Sequence, residues 1–342
     1  MKLDELSRGQ KLAIVVAVVA FVALGAFLLT KTSPTGSEEI NTVIEPTPEI
    51  ASYYWPLTNV KAPGGDAVKR RPISMKIENS DNARPQSGLL SADIVYETEV
   101  EGGITRFHVL FQSDLPETAG PLRSARSNDV WVVSQWGSYL LYSGAADAVH
   151  AELVATGIDM ISEGSDNRVW ERVDWRVAPH NLYVRIVNVP EVVPEFGVDL
   201  NSWEERGLVF EDDEADVPAA AVSTVTVPFT AQTASWQWDE ASRTFLRFQD
   251  GVPHTDYVSG QQLFANNVVI LWADYWNFGG GGLATIFKHG VQLEGTWTTA
   301  PGQPPRIVDV NNNVIEFTAG KTWFEVVGLN TQINVVPLAG EL

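Results

Sequence analysis

The sequence predicts an α+β protein: a mixed α/β N-terminal domain, a smaller and mostly β C-terminal domain, and one transmembrane helix preceding both. Three observations lead to this prediction. An uninterrupted apolar run lies near the N-terminus. The next part of the chain mixes alternating and helical hydrophobic periodicities, and the last third consists of short alternating runs joined by turn residues.

The N-terminal apolar run predicts a membrane anchor. It comprises 19 uncharged, mostly apolar residues, 12–30, between two lysines. As a helix it would span about 28 Å, close to the thickness of the hydrocarbon core of a bilayer. Basic residues precede the run, so the positive-inside rule places residues 1–11 in the cytoplasm and the body on the outer face of the cytoplasmic membrane. A cleaved signal peptide is the alternative, because Ala23–Gly25 offers small residues at a suitable spacing.

Two changes in amino-acid composition divide the part of the chain that follows residue 30. Residues 31–51 are rich in Ser, Thr, Pro and Glu and predict a flexible stalk. A second break, at 210–219, contains five acids within six positions, 211–216, and predicts an exposed linker. The predicted domains are therefore 52–209 and 220–342.

The spacing of apolar residues in the N-terminal domain predicts its strands and helices. Alternating apolar residues predict strands at 71–77, 92–100 and 104–113. Helical spacing predicts helices at 126–137 and 146–157, the second ending at a glycine. In the C-terminal domain, polar turn residues at Asp239–Ser242 and Asn311–Asn313 predict loops of β-hairpins.

A glycine pair at 102–103 between two predicted strands indicates a two-residue hairpin loop. That register sets Glu99 opposite Arg106 and Glu97 opposite His108, on one face of the sheet. Arg106 would then form a cross-strand ion pair worth about 0.2–1 kcal/mol.

Charge and missing residue types exclude several functions. The formal net charge is −20, with 43 acids against 23 bases, which argues against a nucleic-acid partner. The chain has no cysteine, which rules out disulfides, thiolate catalysis and lipid attachment through cysteine. Neither HExxH nor GxSxG occurs, which disfavours a zinc protease and an α/β-hydrolase.

The stretch "GPLRSARSNDVWVV" places Arg123 and Arg126 where a helix begins, with Ser124 or Ser127 available to cap it. A helix N-terminus with two arginines can bind an anion such as phosphate, pyrophosphate or carboxylate. Pairing of these arginines with local carboxylates is an equal alternative. The predicted anion-binding residues are Arg84, Arg106, Arg123, Ser124 and Arg126. Residues that could line a pocket beside them are Asn79, Glu97, Glu101, His180 and Asn181.

Several tryptophans, among them Trp175 and Trp236, could stack on sugar rings, although core packing explains most tryptophans in β-rich domains.

The motifs "ARPQSGL", "ADIVYE", "EGGITR" and "GPLRSAR" resemble the signature of the YerB-like lipoproteins, a bacterial envelope family of unknown function. The resemblance is dense over residues 71–145 and looser in "HTDYVSGQQLFANNVVIL" and "GKTWFEV". It implies an envelope-exposed body of two domains. Members of that family typically carry a lipid-attachment cysteine, so here the tether would be the helix at 12–30.

A fainter similarity is to the LytR-CpsA-Psr cell-wall ligases. It consists of an Asp/Asn/Arg loop that is followed later in the chain by an Arg-rich turn. It implies that the arginines hold a lipid-linked pyrophosphate and that Asp93 holds magnesium.

Three functions remain open. The first is a tethered, non-catalytic envelope protein that binds an anionic or wall-derived ligand or a protein partner. The second is an envelope phosphotransferase acting on a lipid-linked pyrophosphate, and the third is a protein-interaction scaffold. No cofactor is expected, except magnesium under the second.

Overall fold

The computed structural model describes residues 51–212, 220–274, 279–300 and 302–338. The predicted transmembrane helix at 12–30, nearly all of the stalk and residues 213–219 of the linker lie outside this part of the chain. Within it, no helix is both long enough and apolar enough to cross a membrane.

The described residues are mostly strand, with a few short helices. The strands are β1 (Ile73–Glu78), β2 (Ile94–Glu99), β3 (Thr105–Phe111), β4 (Tyr139–Tyr142), β5 (Met160–Ser162), β6 (Trp170–Arg172), β7 (Leu182–Val184), β8 (Ala220–Pro228), β9 (Thr233–Asp239), β10 (Thr244–Gln249), β11 (Val252–Pro253), β12 (Phe264–Ala265), β13 (Asn267–Trp272), β14 (Gly281–Lys288), β15 (Val291–Thr298), β16 (Arg306–Val308), β17 (Thr322–Val327) and β18 (Asn334–Pro337). The α-helices are α1 (Ser127–Trp136), α2 (Asp147–Ala155) and α3 (Val189–Val192).

One sheet of 16 strands runs through the molecule in the order β11-β10-β9-β8-β15-β14-β13-β17-β2-β3-β1-β4-β5, with β12, β16 and β18 paired beside this path. Strands β6 and β7 form a separate pair. The predicted mixed α/β character of the first half and the predominance of strand in the second are both confirmed. Both predicted C-terminal loops are also turns between paired segments.

The halves meet through β17, which lies between β13 and β2 and runs parallel to both. Phe324 pairs with Tyr96, and Glu325 with Glu97. Every residue of β17 is buried, as expected for a central strand covered on both faces. Backbone hydrogen bonds therefore cross from the N-terminal half to the C-terminal half.

The predicted hairpin register is wrong by one residue. Thr98 lies opposite Arg106, and Glu97 lies opposite Phe107. Glu101 joins the two glycines in a three-residue loop, in which both glycines have positive φ. Because a one-residue shift moves a side chain to the other face, Glu97 and Arg106 point to opposite sides of the sheet.

Alternation along β1 positions the functional groups. Ile73, Met75 and Ile77 enter an apolar core on one face of the sheet. Lys76 and Glu78 point to the other face, where α1 packs and Trp136 is buried. The first turn of α1 thus lies over a row of polar side chains from β1, β2 and β3.

Candidate anion-binding site

A buried ionic network fixes the start of α1 on the sheet. Asp129 Oδ1 lies 2.7 Å from Lys76 Nζ and 2.7 Å from His108 Nδ1, and all three residues are buried. Burial alone would raise the pKa of Asp129, but the charge of Lys76 and the hydrogen bond from His108 hold it well below its usual range. The carboxylate is therefore ionised. Burial lowers the pKa of His108, so His108 is neutral and its Nδ1–H donates to Asp129.

The same aspartate caps the helix. Its Oδ2 accepts a hydrogen bond from the backbone N–H of Arg126 at 2.7 Å. The N-cap residue is Arg126, so the prediction that Ser124 or Ser127 caps the helix is wrong. Ser124 instead donates its hydroxyl to the carbonyl of Ser143 at 2.9 Å. The network therefore sets the position of Arg126.

Three arginines converge on the backbone just before α1: Arg106, Arg123 and Arg126, named here the arginine cluster. Arg106 Nη1 and Arg126 Nη1 donate to the carbonyl oxygen of Ser124 at 3.2 and 3.3 Å. Arg106 comes from β3, whereas the other two come from the segment leading into the helix. Burial, together with the charges of Arg126 and Arg123, lowers the pKa of Arg106 to about 10. The three cations are thus close enough to repel one another.

Two carboxylates partly neutralise the cluster. Glu101 accepts from Arg126 Nε at 2.8 Å and from Arg126 Nη2 at 3.0 Å. Glu78 Oε2 lies 3.4 Å from Arg123 Nε. Arg106 is 7% exposed, and within the described part of the chain no carboxylate lies within ion-pair distance of it. Its Nε is buried and has no hydrogen-bond partner there. Among the described residues, the guanidinium of Arg106 therefore forms no direct ion pair, although Glu101 and Asp129 attract it from a distance.

A cleft of about 490 Å³ adjoins the cluster and is named here the Trp175 cleft. Its lining residues are Asn82, Trp175, Arg176, Val177, Ala178 and His180. The Nδ1 of His180 lies 2.9 Å from Glu78 Oε2, the oxygen that Arg123 also contacts. Glu78 thus connects the arginine cluster to this cleft.

Comparisons with known proteins agree on one family. The N-terminal domain of the family described as "Protein of unknown function (DUF3048)" matches residues 57–199, and its C-terminal domain matches residues 225–324. A Bacillus subtilis (strain 168) protein named "Putative lipoprotein YerB" is 31% identical over 288 residues, covering 80% of this chain and 85% of that protein. This chain belongs to the YerB-like family. The crystal structure of YerB from Bacillus subtilis matches with a TM-score of 0.73 and 29% identity, over 82% of this chain and 99% of that one.

In this YerB-like fold, Arg84 lies apart from the arginine cluster. It contacts Asp81 and, at 3.0 Å, Asp250, and lines a cleft of about 600 Å³ that also includes His254. The turn that follows Asn79 directs the side chain of Arg84 towards this cleft and away from the arginine cluster. Because two carboxylates already neutralise Arg84, this cleft does not favour an anion.

Asn79 and Glu97 lie on the opposite face of the sheet from the cluster. Asn79 Nδ2 donates to Glu97 Oε1 at 3.2 Å, and Glu97 Oε2 binds Arg247 at 2.6 Å. Both residues are fully buried. Asn181, although next to His180, accepts from Arg172 at 2.8 Å in the turn between β6 and β7. Of the five predicted pocket residues, Glu101 and His180 therefore lie at the cluster.

Asp93 stabilises a strand connection. Its carboxylate accepts hydrogen bonds from the backbone N–H groups of Gln112 and Ser113 at 2.5 and 2.8 Å, and from the Ser113 hydroxyl. Burial raises its pKa although the charge of Lys321 opposes the change. Among the described residues, no group of three or more acidic or histidine side chains has the arrangement of a metal site.

The sequence analysis did not single out Lys76 or Arg247. Each is a basic residue flanked on both sides by large apolar residues in its strand, "ISMKIE" and "TFLRFQ". A cation that is buried among apolar residues requires a buried carboxylate as its partner. A basic residue with large apolar neighbours was therefore the signal that the sequence offered.

Proposed function

We propose that this protein binds a phosphate-bearing ligand at the arginine cluster, without catalysing a reaction, on the outer face of the cytoplasmic membrane. The observation that carries the proposal is Arg106, a buried guanidinium with an unpartnered Nε and no paired carboxylate in the described part of the chain. A buried polar group without a partner costs about 1–3 kcal/mol, and more when it is charged. A bound anion would remove that cost.

The chemistry of the cluster favours phosphate. Guanidinium groups present parallel N–H donors that match the oxygens of phosphate. Glu78 holds Arg123, and the hydrogen bond from the backbone of Arg126 to Asp129 holds Arg126, so the positions of both residues are set before the ligand arrives. Glu101 is 60% exposed and can move away from Arg126 when a stronger anion binds. Preorganised donors reduce the entropy lost on binding.

The location rests on two observations. Residues 12–30 have the length and composition of a membrane-spanning helix. The relative from Bacillus subtilis is named a lipoprotein, a class of protein attached to membranes. Because this chain has no cysteine to carry a lipid, its tether would be that helix.

Thermal unfolding of the full-length protein in detergent, with and without pyrophosphate, tests the proposal. A ligand at 100 times its Kd adds about 2.7 kcal/mol to the free energy of unfolding, which raises Tm. We expect Arg126→Gln to remove most of the rise. The matched control is Arg168→Gln, because Arg168 also holds an exposed glutamate but lies in neither cleft described above. An equal rise in wild type and Arg126→Gln would contradict the proposal.

A second experiment, with magnesium present, tests whether the protein catalyses a reaction of pyrophosphate. Pyrophosphate should stay intact when it is incubated with the protein and magnesium. Release of inorganic phosphate, lost in Arg126→Gln, would instead show that the site cleaves a phosphoanhydride bond and would contradict a non-catalytic function.

A further inference from the structure

We infer that the ligand of the arginine cluster is a sugar phosphate, with its phosphate on the cluster and its sugar ring in the Trp175 cleft. This inference rests on the function proposed above. It adds a second recognition element, which is built from both halves of the chain.

One lining residue of the cleft, Trp175, forms an aromatic pair with Tyr257, which lies outside the lining. Trp175 and Tyr257 stack with ring centroids 4.4 Å apart and planes 5° apart. They remain 44% and 47% exposed. Tyr257 covers one face of the indole, Tyr183 lies 5.3 Å from the ring in a tilted arrangement, and the part of the indole that these residues leave uncovered is open to a ligand. A flat, exposed apolar surface beside polar groups suits a sugar ring, which has apolar C–H faces and polar edges.

The wall of the cleft is rigid. Arg176 donates to the backbone carbonyls of Asn82 and Pro85 at 2.6 and 2.5 Å, and its guanidinium lies 5.0 Å from the Trp175 ring. Tyr257 donates its backbone N–H to the carbonyl of Gln86 at 2.7 Å. The aromatic pair is thus fixed before any ligand binds, which lowers the entropy cost of binding.

The two recognition elements lie within the reach of one small molecule. His180 Nδ1 and Arg123 Nε contact the same oxygen of Glu78, at 2.9 and 3.4 Å. These nitrogens are therefore at most 6.3 Å apart, the sum of the two distances. A phosphate bound at Arg123 would place a directly attached sugar ring next to His180 and Trp175.

The composition of the cleft favours a sugar over a purely apolar group. Asn82, Arg176 and His180 line it together with Trp175 and the exposed Val177. Amide, guanidinium and imidazole groups are hydrogen-bonding partners for hydroxyls. Arg176 already donates to two backbone carbonyls and His180 Nδ1 contacts Glu78, so sugar hydroxyls would use the remaining hydrogen-bonding positions of these groups, which an alkyl chain cannot use.

Isothermal titration of the full-length protein in detergent tests the inference with four probes: inorganic phosphate, N-acetylglucosamine 1-phosphate, N-acetylglucosamine and hexyl phosphate. We expect the sugar phosphate to bind roughly 2-fold to 12-fold more tightly than inorganic phosphate, the range expected for one aromatic contact. Trp175→Ala should abolish this difference and leave the affinity for inorganic phosphate unchanged. The control Phe196→Ala removes a side chain that is 49% exposed elsewhere and should change neither affinity.

The outcomes separate the two proposals. If inorganic phosphate binds but the sugar phosphate binds no more tightly, the inference fails and the proposed function stands. Equal affinity for hexyl phosphate and the sugar phosphate would show that the cleft accepts any apolar group, which also overturns the inference. If no phosphate compound binds, both proposals fail. Tyr257→Ala should act like Trp175→Ala, and a loss of tight binding in only one of the two variants would contradict the shared platform.

Discussion

Glu97 and Glu325 lie side by side on two parallel strands, and the guanidinium of Arg247 binds both carboxylates. Its Nη2 lies 2.6 Å from Glu97 Oε2, and its Nη1 lies 2.9 Å from Glu325 Oε1. Arg247 Nε donates to His254 Nδ1 at 3.1 Å, which makes His254 a neutral acceptor. Burial and the charge of Glu97 raise the pKa of Glu325 well above its usual value. Glu325 therefore keeps its proton near neutral pH, and the buried network balances one positive charge with one negative charge.

The first prediction concerns the free energy of unfolding. Glu325→Gln keeps a neutral acceptor for Arg247 and should cost about 1 kcal/mol. Glu97→Gln allows Glu325 to ionise and take over as counter-ion. The double variant leaves Arg247 buried without a counter-ion and should cost about 3–5 kcal/mol, more than the single variants combined. Urea unfolding measures all three, and additive costs would contradict the coupling of Glu97 and Glu325 through Arg247.

The second prediction is a pH dependence. The pKa of Glu325 is higher in the folded state than the ordinary value of 4.5 for a glutamate, so the folded state binds the proton more tightly. The stability that this proton provides is complete below about pH 4.5 and is lost as the pH rises through the folded pKa. His254 changes in the opposite direction, because its lowered pKa costs stability when the pH falls.

Comparison with Glu325→Gln isolates the effect of Glu325. The free energy of unfolding of wild type minus that of the variant should fall steadily as the pH is raised from 5 to 9, a range of about four units that includes titration of a buried carboxyl. A difference that is constant over this range would mean that Glu325 is ionised throughout.

The third prediction tests the network beneath α1. Asp129→Asn leaves Lys76 buried without its counter-charge and should lower the free energy of unfolding by about 3–5 kcal/mol. Adding Lys76→Met should restore part of that loss, because the orphaned charge is then absent. A double-mutant cycle by urea unfolding measures the coupling, and simple additivity would exclude a direct ion pair.

The fourth prediction concerns the competitor at the arginine cluster. Glu101→Gln releases Arg126 from a carboxylate, so pyrophosphate should bind several-fold more tightly. Stability should change by less than about 1 kcal/mol, because Glu101 is largely exposed. Glu195→Gln, which removes an exposed glutamate from Arg168, is the matched control and should leave binding unchanged. Weaker pyrophosphate binding to Glu101→Gln would show that Glu101 supports the site rather than competes for it.

The local spacing of residues in the sequence was enough to predict much of the fold and part of the candidate site. Alternation in "ISMKIE" and "IVYETE" predicted two central strands, and the helix after Arg126 followed from its spacing. The approach of Arg123 and Arg126 followed from their separation of three residues. Arg106 joined them through the strand register, yet the register predicted for it was wrong. The glycine pair indicated a two-residue loop, whereas Glu101 extends the loop by one residue.

Contacts between distant segments could not be predicted. Glu97 meets Glu325 only because β17 pairs with β2. Trp175 stacks on Tyr257, which is also distant from it in the sequence. Arg84 was expected beside the other arginines, but its position depends on Asp250 in a remote hairpin. No local periodicity encodes such pairings, since they depend on how the strands are ordered in the sheet.

The most direct test of the account is to locate a bound anion. Crystals of the protein soaked in tungstate, a heavy mimic of phosphate, give an anomalous signal at the position of the metal. The account predicts one dominant peak within hydrogen-bonding reach of Arg106 and Arg126, with Glu101 displaced from Arg126. A peak elsewhere, with the arginine cluster empty and Glu101 still bound to Arg126, would contradict it.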